Sequence, residues 1–124
     1  MLKKEFKVSL LEVFDMDVDG FSYEDKMNYI EKLLVDYQKE HEELRDTSNK
    51  GKPWTDDELR IILEDTPSRY NCLKYAKLFK RGYGSIEQIY RWAATTDEAI
   101  RQKRPKDKYI QQIKRIAKEL GLCY

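Results

Sequence analysis

Residues 53–95 read PWTDDELRIILEDTPSRYNCLKYAKLFKRGYGSIEQIYRWAAT, and this stretch decides the fold class. Thr55 followed three residues later by Glu58 is a capping box, and Leu59, Ile62 and Leu63 give one buried face to a helix that ends before Pro67. A second helix is predicted from Arg69 to Lys80, with Cys72, Leu73, Ala76 and Phe79 turned inward. Two glycines in Arg81-Gly82-Tyr83-Gly84 predict a tight turn. A third helix then starts at Ser85 under a Ser85–Gln88 cap and buries Ile86, Ile89, Tyr90 and Ala93. Three helices with a glycine-containing turn between the second and third make a helix-turn-helix pattern. Trp92 is expected either under the last helix of the chain or as an exposed anchor.

Downstream, Thr96-Asp97-Glu98 opens a short helix. Pro105 opens a last one, whose stripe is Tyr109, Ile110, Ile113, Ile116, Ala117 and Leu120 and whose stop is Gly121. Upstream, Asp46 to Pro53 is a polar run with Gly and Pro punctuation and reads as a linker. Before it, Met27, Ile30, Leu34, Tyr37, His41 and Leu44 recur at spacings of three and four, with Leu33 alongside, on one long helix capped by Ser22 and Asp25. That stripe suits either the chain's own core or a dimer seam. Phe6, Leu10 and Val13 predict a helix over residues 3–14, while the alternation Phe6, Val8, Leu10 leaves a strand as the alternative.

The segment from Lys52 to Thr95 resembles the Myb/SANT-like helix-turn-helix family, in the form found in bacterial and phage proteins. The residues that carry the likeness are Pro53-Trp54-Thr55 and Glu58-Leu59, Tyr75-Ala76-Lys77 and Phe79, and Arg81 through Trp92. Trp54 matches the first of the family's three spaced tryptophans; Cys72 stands at the second place and Tyr90 at the third. The resemblance implies a three-helix Myb-like unit; with the helical stripes read on either side of it, the expectation is an all-α fold in which an N-terminal helical hairpin precedes that unit and a C-terminal helix is added to it. It also implies duplex DNA as partner, although SANT-type members often bind proteins.

Charge points the same way. The 124 residues carry a net charge of +1, but residues 1–50 hold 8 Lys/Arg against 13 Asp/Glu, and residues 51–124 hold 16 against 10. Two regions follow: an acidic helical region, 1–46, for interaction or dimerisation, and a basic helix-turn-helix region, 52–124. On the third helix Ser85, Glu87, Gln88 and Arg91 point outward. Gln88 suits adenine, Arg91 guanine or a phosphate, and Glu87 cytosine. Phosphate contacts are expected from Lys52, Lys77, Lys80, Arg81, Arg101, Lys103, Arg104 and Lys106, with Lys74 and Lys108 beside them.

Enzyme chemistry finds little purchase. There is no Gly-rich phosphate loop, no GxSxG and no HExxH, and the single His41 sits on an apolar stripe. Asp15, Asp17, Asp19 and Gly20 reproduce the first half of an EF-hand calcium loop, but Ser22 and Lys26 stand where an apolar residue and the closing Glu belong. Phe14-Asp15-Met16-Asp17 is similar to the aspartate pair of haloacid-dehalogenase-type phosphatases, which need a parallel sheet this chain has no room for. Cys72 and Cys123 are far apart and read as small apolar side chains. No cofactor, membrane span or signal segment is expected. The expectation is a cytoplasmic, noncatalytic DNA-binding regulator or accessory factor of a phage or mobile element. A protein partner or a second copy would dock through residues 23–45. The alternative is a protein-interaction module, such as a phage-encoded inhibitor whose acidic half mimics nucleic acid before a host nucleic-acid-binding protein.

Overall fold

The computed structural model describes residues 1–122, which are all-helical, with no strand among them. The α-helices are α1 (Lys3–Phe14), α2 (Tyr23–Glu40), α3 (Asp56–Leu63), α4 (Arg69–Leu78), α5 (Tyr83–Ala94), α6 (Asp97–Lys103) and α7 (Lys108–Glu119), with a 3-10 turn at Glu42–Leu44. Residues 3–14 are thus helical, and the strand alternative is overturned. Cys123 lies outside the described residues. Two compact units divide within α2, one Met1–Leu34 and the other beginning at Val35.

In the first unit the start of α2 is fixed as its sequence predicts. The Asp25 N–H donates to Ser22 Oγ and the Ser22 N–H to the Asp25 carboxylate, each at 3.1 Å. Phe21 sets its ring edge-on to Tyr29 at 5.5 Å. No side chain of this unit is buried, and α1 buries none along its whole length.

The second unit holds the core. Ile62, Ile86, Ile89, Ile113 and Ile116 are fully buried, and α7 packs on both α3 and α5 while α4 packs on α5. Caps mark the helix starts. Thr55 and Glu58 close the predicted box, Ser68 accepts from Asn71 N–H, Thr96 from Ala99 N–H and Asp107 from Ile110 N–H. The last cap moves the start of α7 to Lys108, so Pro105 lies in the turn before the helix rather than opening it. Gly121, at φ +79°, ends α7 as expected, with Leu122 N–H on Ala117 O.

The turn between α4 and α5 differs from expectation. Helix α4 stops at Leu78, Lys80 takes a left-handed φ of 56°, and the Arg81 N–H returns to Ala76 O at 2.9 Å, a Schellman closure. Helix α5 then begins at Tyr83, two residues before the predicted start, and the Ser85–Gln88 cap does not form. The reason lies far off in sequence: the Glu42 carboxylate accepts the Tyr83 N–H and so caps α5 from another segment. Arg45 completes the staple, donating to Ala76 O at 3.3 Å, to Arg81 O at 2.9 Å and to Glu42 at 3.3 Å. The polar run after it is tied down too, since Asn49 donates from its side chain to Phe79 O and from its backbone to Lys80 O.

This staple ends the apolar stripe of α2 early. The helix stops at Glu40, so His41 and Leu44 leave it, and Val35 is the residue it buries. Asp36, Gln38 and Lys39 follow on the same segment and reach Arg69, Lys77 and the Tyr83 ring. Replacing Glu42 with Ala should cost about 1–2 kcal/mol, the range of a lost helix cap, read by thermal melts followed by circular dichroism. Gln at the same position should recover part of the loss, because its amide oxygen still accepts.

Between α3 and α4, the Tyr75 hydroxyl donates to the Asp65 carboxylate at 2.6 Å. That bond holds Asp65 below the ordinary carboxylate range and pushes Tyr75 up to about 12. Because Asp65 titrates lower when folded than when unfolded, its contribution is complete above the ordinary value of 3.8 and is lost as pH falls through the lower folded value. Tyr75→Phe is therefore expected to lower the Tm at neutral pH, with a gap to the parent that narrows as acid is added. A gap that stays constant down through the carboxylate range would show that the ionised pair is not its source.

Candidate functional site

A groove of about 470 Å³ runs beside α5 and is lined by the segment Gly51–Trp54, by Arg81, by Ser85 and Gln88 of α5, and by Lys108, Tyr109 and Gln112 of α7. Trp54 is buried, packs edge-on against Phe79 at 5.7 Å and carries the Arg81 guanidinium over its ring at 3.9 Å. Gln112 ties α7 to this wall by donating to Trp54 O at 3.1 Å and to Asp56 at 2.9 Å. Burial pushes the Tyr109 hydroxyl up to about 12, so it stays a neutral donor there.

Of the predicted base-facing residues, Gln88 and Arg91 are exposed and Ser85 is half-buried on the groove wall. Neither Arg91 nor Glu87 lines the groove; Glu87 is half-buried, and burial together with its charge raises the Cys72 thiol and the Tyr83 hydroxyl. Trp92 is partly buried against the core.

The cations fall into two groups. Arg81, expected on phosphate, is only 4% exposed; it donates to Lys52 O and, at 3.2 Å, to Pro53 O, so it is structural. Lys80 pairs with Asp46 at 3.5 Å, Lys74 with Asp65 at 3.7 Å, Arg104 with Asp107 at 3.9 Å, and Lys77 donates to Gln38 at 3.0 Å. Arg91, Arg101, Lys103, Lys106 and Lys108 are exposed and form no ion pair among the described residues, and Lys52 meets only the neutral Asn49 side chain, at 3.1 Å. Positive charge without internal neutralisation thus gathers around the groove and along the segment from α6 to α7. Lys114, 6% exposed, was not among the expected site residues; it holds Ala93 O and Thr95 O and pairs with Asp97 at 3.6 Å, fixing the end of α5.

The calcium-loop candidates do not converge. Asp15, Asp17 and Asp19 form no cluster able to hold a metal among the described residues, and the Lys26 ammonium donates to Met16 O at 3.2 Å inside the same loop. His41 stacks on Tyr37 at 4.0 Å with its Nδ1 2.7 Å from Tyr37 O. Among the described helices, none is long and apolar enough to cross a membrane.

Comparison with known proteins places the chain beside one whose description gives no activity. It is 45% identical over 123 residues to "Uncharacterized protein PM1205" of Pasteurella multocida (strain Pm70), covering 98% of each chain. Residues 48–123 match the family described as "Uncharacterised protein PM1205 C-terminal domain". The chain belongs to the PM1205 family. The family match starts at residue 48 and so takes in Lys52, the groove and the whole of α3 to α7. No solved structure matches it.

Proposed function

We propose that this PM1205-family chain is a noncatalytic, cytoplasmic DNA-binding protein, a regulator or accessory factor of a phage or mobile element. In this reading α3, α4 and α5 act as a Myb/SANT-like helix-turn-helix, and α5 enters the major groove with Gln88 and Arg91 on base edges. Lys52 and Lys108 hold phosphates on either side of Ser85 and Gln88, and Arg101, Lys103 and Lys106 extend the basic track. The observation that carries the reading is the juxtaposition in one groove of the α5 residues Ser85 and Gln88 with Lys52 and Lys108, neither of which makes an ion pair among the described residues. Cations left unneutralised at the surface keep their full attraction for a polyanion, whereas paired ones have already discharged most of it.

Titration of a labelled duplex of random sequence by fluorescence anisotropy, over a salt series, tests this. Affinity should fall linearly on a log–log plot against salt. Gln88→Ala with Arg91→Ala should weaken binding, while Asp17→Ala should leave it unchanged. Absence of salt-dependent binding at low ionic strength would sink the DNA reading.

A further inference from the structure

The first unit exposes apolar surface on a scale the second does not. Leu2, Phe6, Leu10 and Val13 recur at spacings of four, four and three, which gathers them on one side of α1, and they are 70%, 59%, 41% and 54% exposed. A helix of 12 residues that buries nothing is marginal in water, because most helical stability in proteins comes from packing of the apolar face.

The charges of α1 run against it as well. Lys3, Lys4 and Lys7 crowd the N-terminal half against Glu5 alone, and Glu5 accepts the Leu2 N–H. Glu12 lies in the last turn, which holds no basic residue, and Asp15, Asp17 and Asp19 follow directly. Cations at the positive end of a helix dipole and carboxylates at its negative end destabilise a solitary helix. The same pattern becomes favourable when a second α1 lies antiparallel to the first: the basic end of each meets the acidic end of the other, and the two dipoles oppose. A parallel pair would set Lys against Lys. A foreign partner would have to carry the reversed pattern, which a second copy of this chain supplies by symmetry.

We propose that α1 is a homodimerisation element, pairing antiparallel with α1 of a second copy through Leu2, Phe6, Leu10 and Val13, a register that sets the Lys3–Lys4 start of each helix beside the Glu12–Asp15 end of the other. This seam lies in α1 and not in the stripe of residues 23–45. It stands apart from DNA binding and holds whether or not that reading does.

The test is the mass of the full chain in solution by sedimentation velocity. The parent should sediment as a dimer whose dissociation constant rises with salt. Leu10→Glu should give a monomer with an unchanged thermal transition for the second unit. The decisive arm is a charge swap between the ends that meet: Lys3→Glu with Lys4→Glu, and separately Glu12→Lys with Asp15→Lys. Each variant should be weakened at least about 10-fold as a homodimer by like-charge contact, and a mixture of the two should restore a heterodimer. A misfolded variant could not be rescued by mixing, so recovery separates broken complementarity from broken structure. A monomeric parent, a parent dimer indifferent to both charge reversals, or a mixture that stays monomeric overturns the proposal.

Discussion

Arg81→Ala is expected to destabilise the second unit by about 3 kcal/mol, the largest stability effect of any single polar residue here. The guanidinium is 4% exposed, donates to Lys52 O and Pro53 O and covers the face of Trp54 at 3.9 Å. Hydrogen bonds from a charged donor contribute about 1.5–3 kcal/mol each, and a desolvated cation–π contact adds about 2. Against this stand the cost of burying the charge and an Nε without an acceptor among the described residues. For a unit of this size each kcal/mol shifts the Tm by about 4–8 °C, so a fall of roughly 15 °C is expected in a thermal melt. Lys at this position should rescue little, because an ammonium cannot hold two carbonyls in a fork and lie flat on an indole. A shift of only a few degrees for Arg81→Ala would mean that water replaces the guanidinium at both carbonyls and that Trp54 is held by its apolar neighbours alone.

The same residue marks where local sequence stops being informative. Arg81 sits among Lys77, Lys80 and two glycines, and composition alone makes it one more surface cation. What buries it is Trp54, 27 positions earlier in the chain, and no local period records that meeting. Glu42 and Arg45 are the parallel case. They lie in an acidic stretch that reads as solvated, yet one caps α5 across 41 positions and the other holds the carbonyls that end α4. Features that depend on neighbours within a turn or two were legible: the Thr55–Glu58, Ser22–Asp25 and Thr96 starts, the Ile113–Ile116–Ala117 stripe and the Gly121 stop. The early start of α5 was not, because Gly82 and Gly84 both permit a turn and only the distant carboxylate decides which of them the helix absorbs.

For the candidate site, periodicity placed Gln88 and Arg91 outward, but it could not separate Glu87, three positions from Gly84 and one from Gln88, from the face it adjoins. Nor could it tell paired cations from unpaired ones. That distinction is a matter of tertiary placement: Lys80 finds Asp46, Lys74 finds Asp65, and Lys108 finds no carboxylate among the described residues.

It also yields the sharpest expectation for binding. Lys52→Glu with Lys108→Glu should weaken affinity for duplex DNA by about 100-fold at low salt, since each reversal takes a cation away from a phosphate and sets a carboxylate against the backbone. The log–log salt slope should shrink by about 1.8, at about 0.9 for each phosphate no longer neutralised. Lys74→Glu with Lys80→Glu changes the net charge by the same amount, but at residues whose ammonium groups already face carboxylates at 3.7 and 3.5 Å. Its effect should be several-fold at most, with the slope nearly kept. All four residues are exposed: the Lys52/Lys108 variant should melt as the parent does, while the Lys74/Lys80 variant, which sets carboxylates against Asp65 and Asp46, should melt slightly lower, so binding is compared well below both transitions. Equal losses of affinity in the two double variants would reduce the interaction to overall charge and remove the groove beside Ser85 and Gln88 from any role in it. A large loss confined to Lys52 and Lys108 would tie polyanion binding to the α5 groove, because the two pairs differ in their internal carboxylate partners and in position, not in charge.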